Sequence, residues 1–414
     1  MTSNCDLAIA KQCGLLIQSY NGGKMSNLQK LLSCQKDLFT LPNKLHYLNC
    51  AYMSPLSKKV QEAGIVGVGV KGNPSQISPE DFFEQSNQLR DYFARIINVE
   101  ANKVALIPSV SYGINTAVAN IKATAGQNII ILSEQFPSNV YPWYRFRDNG
   151  VEIRTISAPN SIKNRAKEWN SRILEAIDSN TAVVAMPQVH WTDGTLFDLE
   201  SIGTKARELG AVFIIDAIQS VGAYPFDNSK IKADAVIAAN YKHLMGPYGI
   251  GYAYYGEYFD NGKPLEDNWL SRKGSEDFGR LIDYQDEYTA GAARFDMGGR
   301  ANPILQAMAV AALEQVLDFG VENIQNYCQN LTKPYIKQIQ ELGFSIEDEN
   351  WRGAHLFGIY LPDNIDLNSL KNTLLNKDIS VSVRGAAIRV SPNIYNDKAD
   401  MQALLDALES VIRP

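Results

Sequence analysis

The sequence predicts an α/β fold: a mainly parallel sheet with helices on both faces, and a smaller α/β part at the C-terminal end. Three observations carry this expectation. Short, largely apolar runs bounded by turn residues recur at Val104–Ile107, Asn128–Leu132, Ala182–Met186, Val212–Ile215 and Ala235–Ala238, as expected of strands buried on both faces. The 414 residues exceed one ordinary domain, and 45% hydrophobic content supplies a sizeable core. Beyond Pro303 the pattern changes to a long helix and then short alternating elements, the mark of a second, smaller unit.

The stretch from Ala211 to Tyr254 organises the rest. It reads as three buried strands, the first ending at Asp216, the second leading to Lys242, and the third opening at Gly249-Ile250-Gly251. A carboxylate at one strand end and a lysine just past the next point into one crevice of a parallel sheet. That pair suits pyridoxal phosphate: the lysine amine forms an imine with the cofactor aldehyde, and the aspartate keeps the pyridine nitrogen protonated. The plainer alternative is a turn aspartate and a solvated lysine, and spacing alone does not decide between them.

Further detail does. Gln219 follows three residues after Asp216, and Gly246-Pro247-Tyr248-Gly249-Ile250-Gly251 follows Lys242. With these residues the chain, from about Leu45 to its end, resembles the class V aminotransferase group of pyridoxal-phosphate enzymes. Within that group it resembles selenocysteine lyases and isopenicillin N epimerase-like proteins, with kynureninase-like features. The resemblance implies a fold type I enzyme with a seven-stranded-type sheet, Lys242 and Asp216 as catalytic residues, and a homodimer with shared active sites.

Taken in order, the segment from Leu45 resembles the stretch with which these enzymes enter the site, implying Asn49, Ala51 and Tyr52 near the substrate; a strand and a Ser54-Pro55 turn is the plain reading. Val60–Val70 reads as a helix interrupted by three glycines, and Pro79–Ile97 as an amphipathic helix. After Val104–Ile107, a helix is expected over Gly113–Ile121. A helix start presents N–H groups to anions, and the resemblance implies that Ser111 and the Val110 N–H hold the cofactor phosphate; capping by Ser109 or Ser111 is the alternative. The ring-stacking position of the family falls on Phe136. Where relatives often place an asparagine against the phenolic oxygen, this chain has Trp191, a departure; Gln219 matches another contact to that oxygen. His190 is expected to be structural. Tyr241 precedes the lysine where desulfurases carry a histidine, and a phenol can still donate to phosphate.

Residues 256–291 are polar and aperiodic, a length that inside a compact domain is usually functional or mobile. Asn302, ahead of the long helix, matches a phosphate ligand reaching across a dimer interface. In the C-terminal part a strand at His355–Leu361, a helix from Leu367, strands at Val381–Val383 and Ile388–Val390 and a helix from Asp397 are expected. The family's carboxylate-binding arginine falls on Arg389, whose planar fork suits a bidentate contact; Arg384 is the weaker candidate.

The net charge of −6 argues against a nucleic-acid surface, and no run of 18 apolar residues suggests a membrane span. Five scattered cysteines (Cys5, Cys13, Cys34, Cys50, Cys328) without CxxC spacing suggest reduced thiols and a cytoplasmic location; no metal site is expected. The expected organisation is a weakly ordered leader over 1–24, an N-terminal segment over 25–50 packing with the small domain, a cofactor domain over 51–300 and a small domain over 301–414. An aminotransferase acting on a small amino acid is the leading expectation. The alternatives are a C–S or C–Se lyase working by direct elimination, an epimerase, or a Rossmann-type nucleotide binder. Against the last, the first strand–helix turn reads IPSVSYG rather than GxGxxG.

Overall fold

The computed structural model describes residues 32–412, so the expected leader over 1–24 lies outside the described residues. A two-residue strand β1 (His46–Tyr47) opens the ordered chain. Helix α1 (Lys58–Gly72) follows, capped by the Ser57 side chain on the Val60 N–H. Two of its glycines, Gly64 and Gly67, have a packing reason. A Cβ on Gly67 would stand 2.5 Å from the Pro303 carbonyl oxygen, so α1 lies backbone-close on the helix beginning there. Helix α2 (Glu84–Ile97) starts five residues later than its amphipathic pattern suggests, because Glu80–Phe82 forms a separate 3-10 turn.

The main sheet is built from β2 (Val104–Ile107), β3 (Asn128–Leu132), β4 (Glu152–Ile156), β5 (Thr181–Pro187), β6 (Val212–Asp216), β7 (Ala235–Ala239) and β8 (Gly251–Tyr255). Interspersed are α3 (Val110–Asn120), α4 (Arg165–Ala176), α5 (Leu199–Glu208) and the single turn α6 (Asn228–Ile231). The spatial order is β2-β8-β7-β6-β5-β3-β4. Strands β4, β3, β5, β6 and β7 run parallel, while β8 is antiparallel to both β7 and β2. Two apolar clusters lie on the two faces. Leu106, Ile130, Val184, Phe213 and Val236 point into one, and Ala105, Ile129, Val183, Ile214 and Ile237 into the other, the alternation that sheet geometry imposes. Strand β4 and helices α4 and α5 were not anticipated; β4 is an edge strand whose mixed sequence lacks the buried-strand signature.

The polar stretch 256–291 carries only short 3-10 turns and one bridge, Arg272 to Tyr288. It is tied to the sheet at its end by Asp296. That buried carboxylate accepts from the Leu106 N–H at 2.8 Å and pairs with Arg90 and, at 3.1 Å, with Arg300.

The long helix expected beyond Pro303 is two, α7 (Pro303–Phe319) and α8 (Val321–Glu341), broken at Gly320, where φ is +76°. Helix α7 packs on α1 and α2. A separate core forms around Leu331, Ile336, Phe357, Ile388, Leu404 and Leu408. It lies among α8, β9 (Phe357–Tyr360), α9 (Leu367–Asn376), β10 (Ile379–Ser380), β11 (Ser382–Arg384), β12 (Ala387–Val390) and α10 (Lys398–Ile412). Strands β11-β12-β9 make an antiparallel sheet, and β10 pairs in parallel with β1. The segment after β1 is thereby threaded between the two cores: the Cys50 N–H donates to the Ser391 carbonyl at 3.0 Å, and the Ser54 N–H to the Tyr241 carbonyl at 2.9 Å.

Candidate active site

Strand β2 runs in the direction of the five parallel strands, since it and β7 are both antiparallel to β8. The loops after β2, β3, β5, β6 and β7 carry the expected site residues on that side of the sheet. The chain leaves β2 at Ile107 and enters α3 at Val110, three residues before the expected start. Ser109 takes the N-cap, its hydroxyl accepting from the Tyr112 N–H at 3.2 Å and lying 2.9 Å from the Ser111 hydroxyl. First-turn N–H groups have no intrahelical acceptor, so Val110 and Ser111 open a helix start of the kind that binds anions, and Ser109 serves as the cap.

Beyond β3 and β5 the loops bring Phe136 and Trp191 together edge to face, centroids 5.3 Å apart. The indole N–H donates to the Glu134 carbonyl at 2.6 Å, so Trp191 is held by its ring. It offers no amide where relatives carry asparagine. Asp216 ends β6, buried, with the Ile218 N–H donating to it at 3.2 Å. Lys242 lies past β7, also buried, its Nζ 5.7 Å from the centre of the Phe136 ring and 5.8 Å from that of Tyr241. One small cleft is lined by Phe136, Trp191, Asp216, Gln219 and Lys242.

The tight turn after Lys242 has its own requirement. The Met245 N–H returns to the Lys242 carbonyl at 2.9 Å and the Gly246 N–H to that of Asn240 at 2.9 Å. A Cβ on Gly246 would fall 2.4 Å from the Asn240 side chain, so the glycine permits the close return that aims the lysine.

Electrostatically the cleft is strained. Burial pushes the Asp216 carboxyl up, against the pull of Lys242 and the Ile218 N–H. Burial, then the cation of Arg389, push the Lys242 amine down. Arg389 on β12 is 2% exposed; one Nη donates to the Trp191 carbonyl at 2.9 Å, and its Nε has no partner. No carboxylate among the described residues pairs with it. A buried guanidinium in that state asks for an anion.

The other expected residues divide. Asn49 is buried and accepts from the Ser382 hydroxyl at 2.8 Å; the Ala51 carbonyl accepts from Gln219 Nε2 at 3.2 Å. Tyr52 is 56% exposed and Tyr241 stacks on exposed Tyr248 at 4.3 Å. Burial raises the Tyr241 phenol to about 12, so it stays a donor. Asn302 caps α7, its Oδ1 accepting from the N–H groups of Ile304 and Leu305. His190 is fully buried, Nδ1 lying 2.8 Å from the Thr192 hydroxyl, its ring 5.0 Å from Trp169. His243 and His355, which flank Gln219, were missed because nothing in local spacing relates position 355 to position 219.

A buried amine and carboxylate on neighbouring strands, an anion seat at a helix start and an aromatic wall between them fit pyridoxal phosphate. The comparisons agree. The family model "Aminotransferase class-V" matches residues 71–404. An uncharacterized aminotransferase of Bacillus subtilis is 25% identical over 80% of this chain and 84% of its own length. A probable cysteine desulfurase of Methanothermobacter thermautotrophicus is 24% identical over 78% and 83%, and a kynureninase of Geobacillus thermodenitrificans 23% identical over 78% of each. Among solved structures, a cystine C–S lyase in complex with its product cysteine persulfide superposes with a TM-score of 0.80 at 18% identity, covering 89% of this chain and 98% of that one. The apo cysteine desulfurase of Thermococcus onnurineus gives 0.77 at 18% identity, covering 92% and 99%. The chain belongs to the class V aminotransferase family of pyridoxal-phosphate enzymes.

Proposed function

We propose that this protein binds a small amino acid by its carboxylate on Arg389 and its amine beside Lys242, with transamination as the leading reaction. The observation that carries the reading is the buried, counterion-free guanidinium of Arg389 sharing one wall, Trp191, with the lysine cleft. Pyridoxal phosphate, when bound, supplies an electron sink for charge developing at the substrate α-carbon. Lys242 is the residue that would hold the cofactor and move the proton at the substrate α-carbon, a task its lowered pKa suits. The buried carboxylate of Asp216 would keep the cofactor's ring nitrogen protonated. Gln219 would serve the cofactor's phenolic oxygen as a donor, and Val110, Ser111 and Tyr241 its phosphate. Phe136 and Trp191 wall the cleft beside Lys242.

We also propose a homodimer with shared sites. Ile65, Val66 and Val68 on α1 are 71%, 64% and 57% exposed, an apolar run suited to a partner surface. With its oxygen spent on the cap, Asn302 keeps its amide N–H groups for a phosphate held by the partner.

The test is a screen of the purified protein against amino acids, recording cofactor absorbance and the oxoacid, ammonia or sulfide released. Oxoacid formed together with an aminated acceptor supports transamination. Sulfide or ammonia without an acceptor moves the reading to direct elimination. In a folded, cofactor-loaded Asp216→Ala protein, turnover is expected to fall on the order of a hundredfold to several thousandfold.

A further inference from the structure

Arg389 has a companion. In the β11–β12 hairpin Ser382 faces Arg389 and Arg384 faces Ala387. Directly opposed residues share a face, and alternate residues along each strand return to it. Arg384 and Arg389 therefore project from the same face as diagonal neighbours. Both reach Trp191: Arg389 through the backbone carbonyl at 2.9 Å, Arg384 by lying over the indole ring at 5.5 Å.

Donor accounting points the same way. Arg384 donates to the adjacent Val383 carbonyl at 2.8 Å, and its Nε is buried without a partner. Arg389 adds to its Trp191 bond only a long contact, 3.5 Å, to the Ser382 hydroxyl. A guanidinium carries five N–H donors, so most of these ten are unspent. Neither arginine pairs with a carboxylate among the described residues. Lys242 is a third cation beside them, and Asp216 is the acid in the cleft. Burial lowers the pKa of both Arg389 and Lys242, and the charge of Arg384 adds to that shift in each. One substrate carboxylate answers one arginine and leaves the other facing a like charge. The phosphate seat at the start of α3 uses neither.

We propose that the cleft selects an amino acid bearing a second carboxylate on its side chain, Arg389 taking the α-carboxylate and Arg384 the side-chain carboxylate. This rests on the amino-acid reading above and narrows it. Arg384 is then a specificity residue: neutral amino acids still dock through Arg389 but lose one charge-assisted pair.

The experiment is calorimetric titration of the holoenzyme with the inert acids succinate and glutarate against propionate and butyrate. Absorbance titrations with aspartate, glutamate and alanine run alongside. Dicarboxylates are expected to bind on the order of tenfold or more tightly than monocarboxylates. Arg384→Gln should erase that difference, the dicarboxylates losing more affinity than the monocarboxylates. Arg384→Lys should keep part of it, and Arg389→Gln should weaken every acid. Equal affinity for the two acid classes, or an Arg384→Gln protein that still prefers dicarboxylates, overturns the inference; the amino-acid reading survives if alanine perturbs the cofactor absorbance. If no amino acid perturbs it, both fall.

Discussion

The Nε2 of His243 lies 3.1 Å from the side-chain oxygen of Gln219, a pairing whose direction is set at the other end of the amide. The opposite end of the amide donates to the Ala51 carbonyl at 3.2 Å, a group that can only accept. The Gln219 oxygen must therefore face His243, and His243 must carry its proton on Nε2. Burial pushes the His243 pKa far down, so the ring stays neutral. One amide N–H remains for the cleft.

His243→Leu should leave the Gln219 oxygen buried without a donor, a cost of about 1–3 kcal/mol. Cofactor retention should weaken on the order of tenfold, whereas His243→Gln restores an N–H donor and much of the affinity. Fluorescence titration of the apoprotein with pyridoxal phosphate checks both variants.

Lys242 has a folded pKa below its ordinary 10.5, so its neutral, nucleophilic amine is present at lower pH than on a solvent-exposed lysine. Capture of pyridoxal phosphate by the apoprotein, trapped with borohydride and read on the Lys242 peptide, should rise with pH to a midpoint below 10.5. Arg389→Gln removes a cation that disfavours the ammonium and should move the midpoint up. Asp216→Asn removes the anion that favours it and should move the midpoint down. Labelling on a different lysine would defeat the assignment.

Cys50 sits under the lysine turn, its sulfur 4.0 Å from the Lys242 carbonyl and 3.4 Å from Asn393 Nδ2. It is fully buried, and desolvation raises its thiol to about 11. The hairpin from Ser382 to Arg389 contains no cysteine. Mass spectrometry during turnover on a sulfur amino acid is therefore expected to find no protein persulfide, and Cys50→Ser to remain active. A persulfide on Cys50, with activity lost in Cys50→Ser, would make sulfur transfer the leading reading.

Asp296 is fully buried between Arg90 and Arg300 while accepting from the Leu106 N–H. Asp296→Ala leaves two guanidiniums without their anion and should cost roughly 3–5 kcal/mol of stability. Denaturant unfolding should show it as a lower midpoint with an unchanged slope.

The sheet was legible in the sequence because strands buried on both faces must be apolar throughout, and Val212–Asp216 and Ala235–Ala239 declare themselves that way. Asp216 and Lys242 were legible for the complementary reason: polar groups immediately beyond such runs stand out. Edge strand β4, solvated along one side, carries no such contrast and was missed. The cap at Ser109 was weighed, yet the helix start at Val110 became visible only with the hydroxyl in place on the Tyr112 N–H. What the tertiary structure alone decided is distance between residues far apart in the chain. It brought Ala51, Gln219, His243 and His355 into one hydrogen-bonded chain, and set Arg384 and Arg389 against Trp191, nearly two hundred positions earlier. Strand register and the convergence of parallel strand ends fix those meetings, and neither is a property of any local stretch.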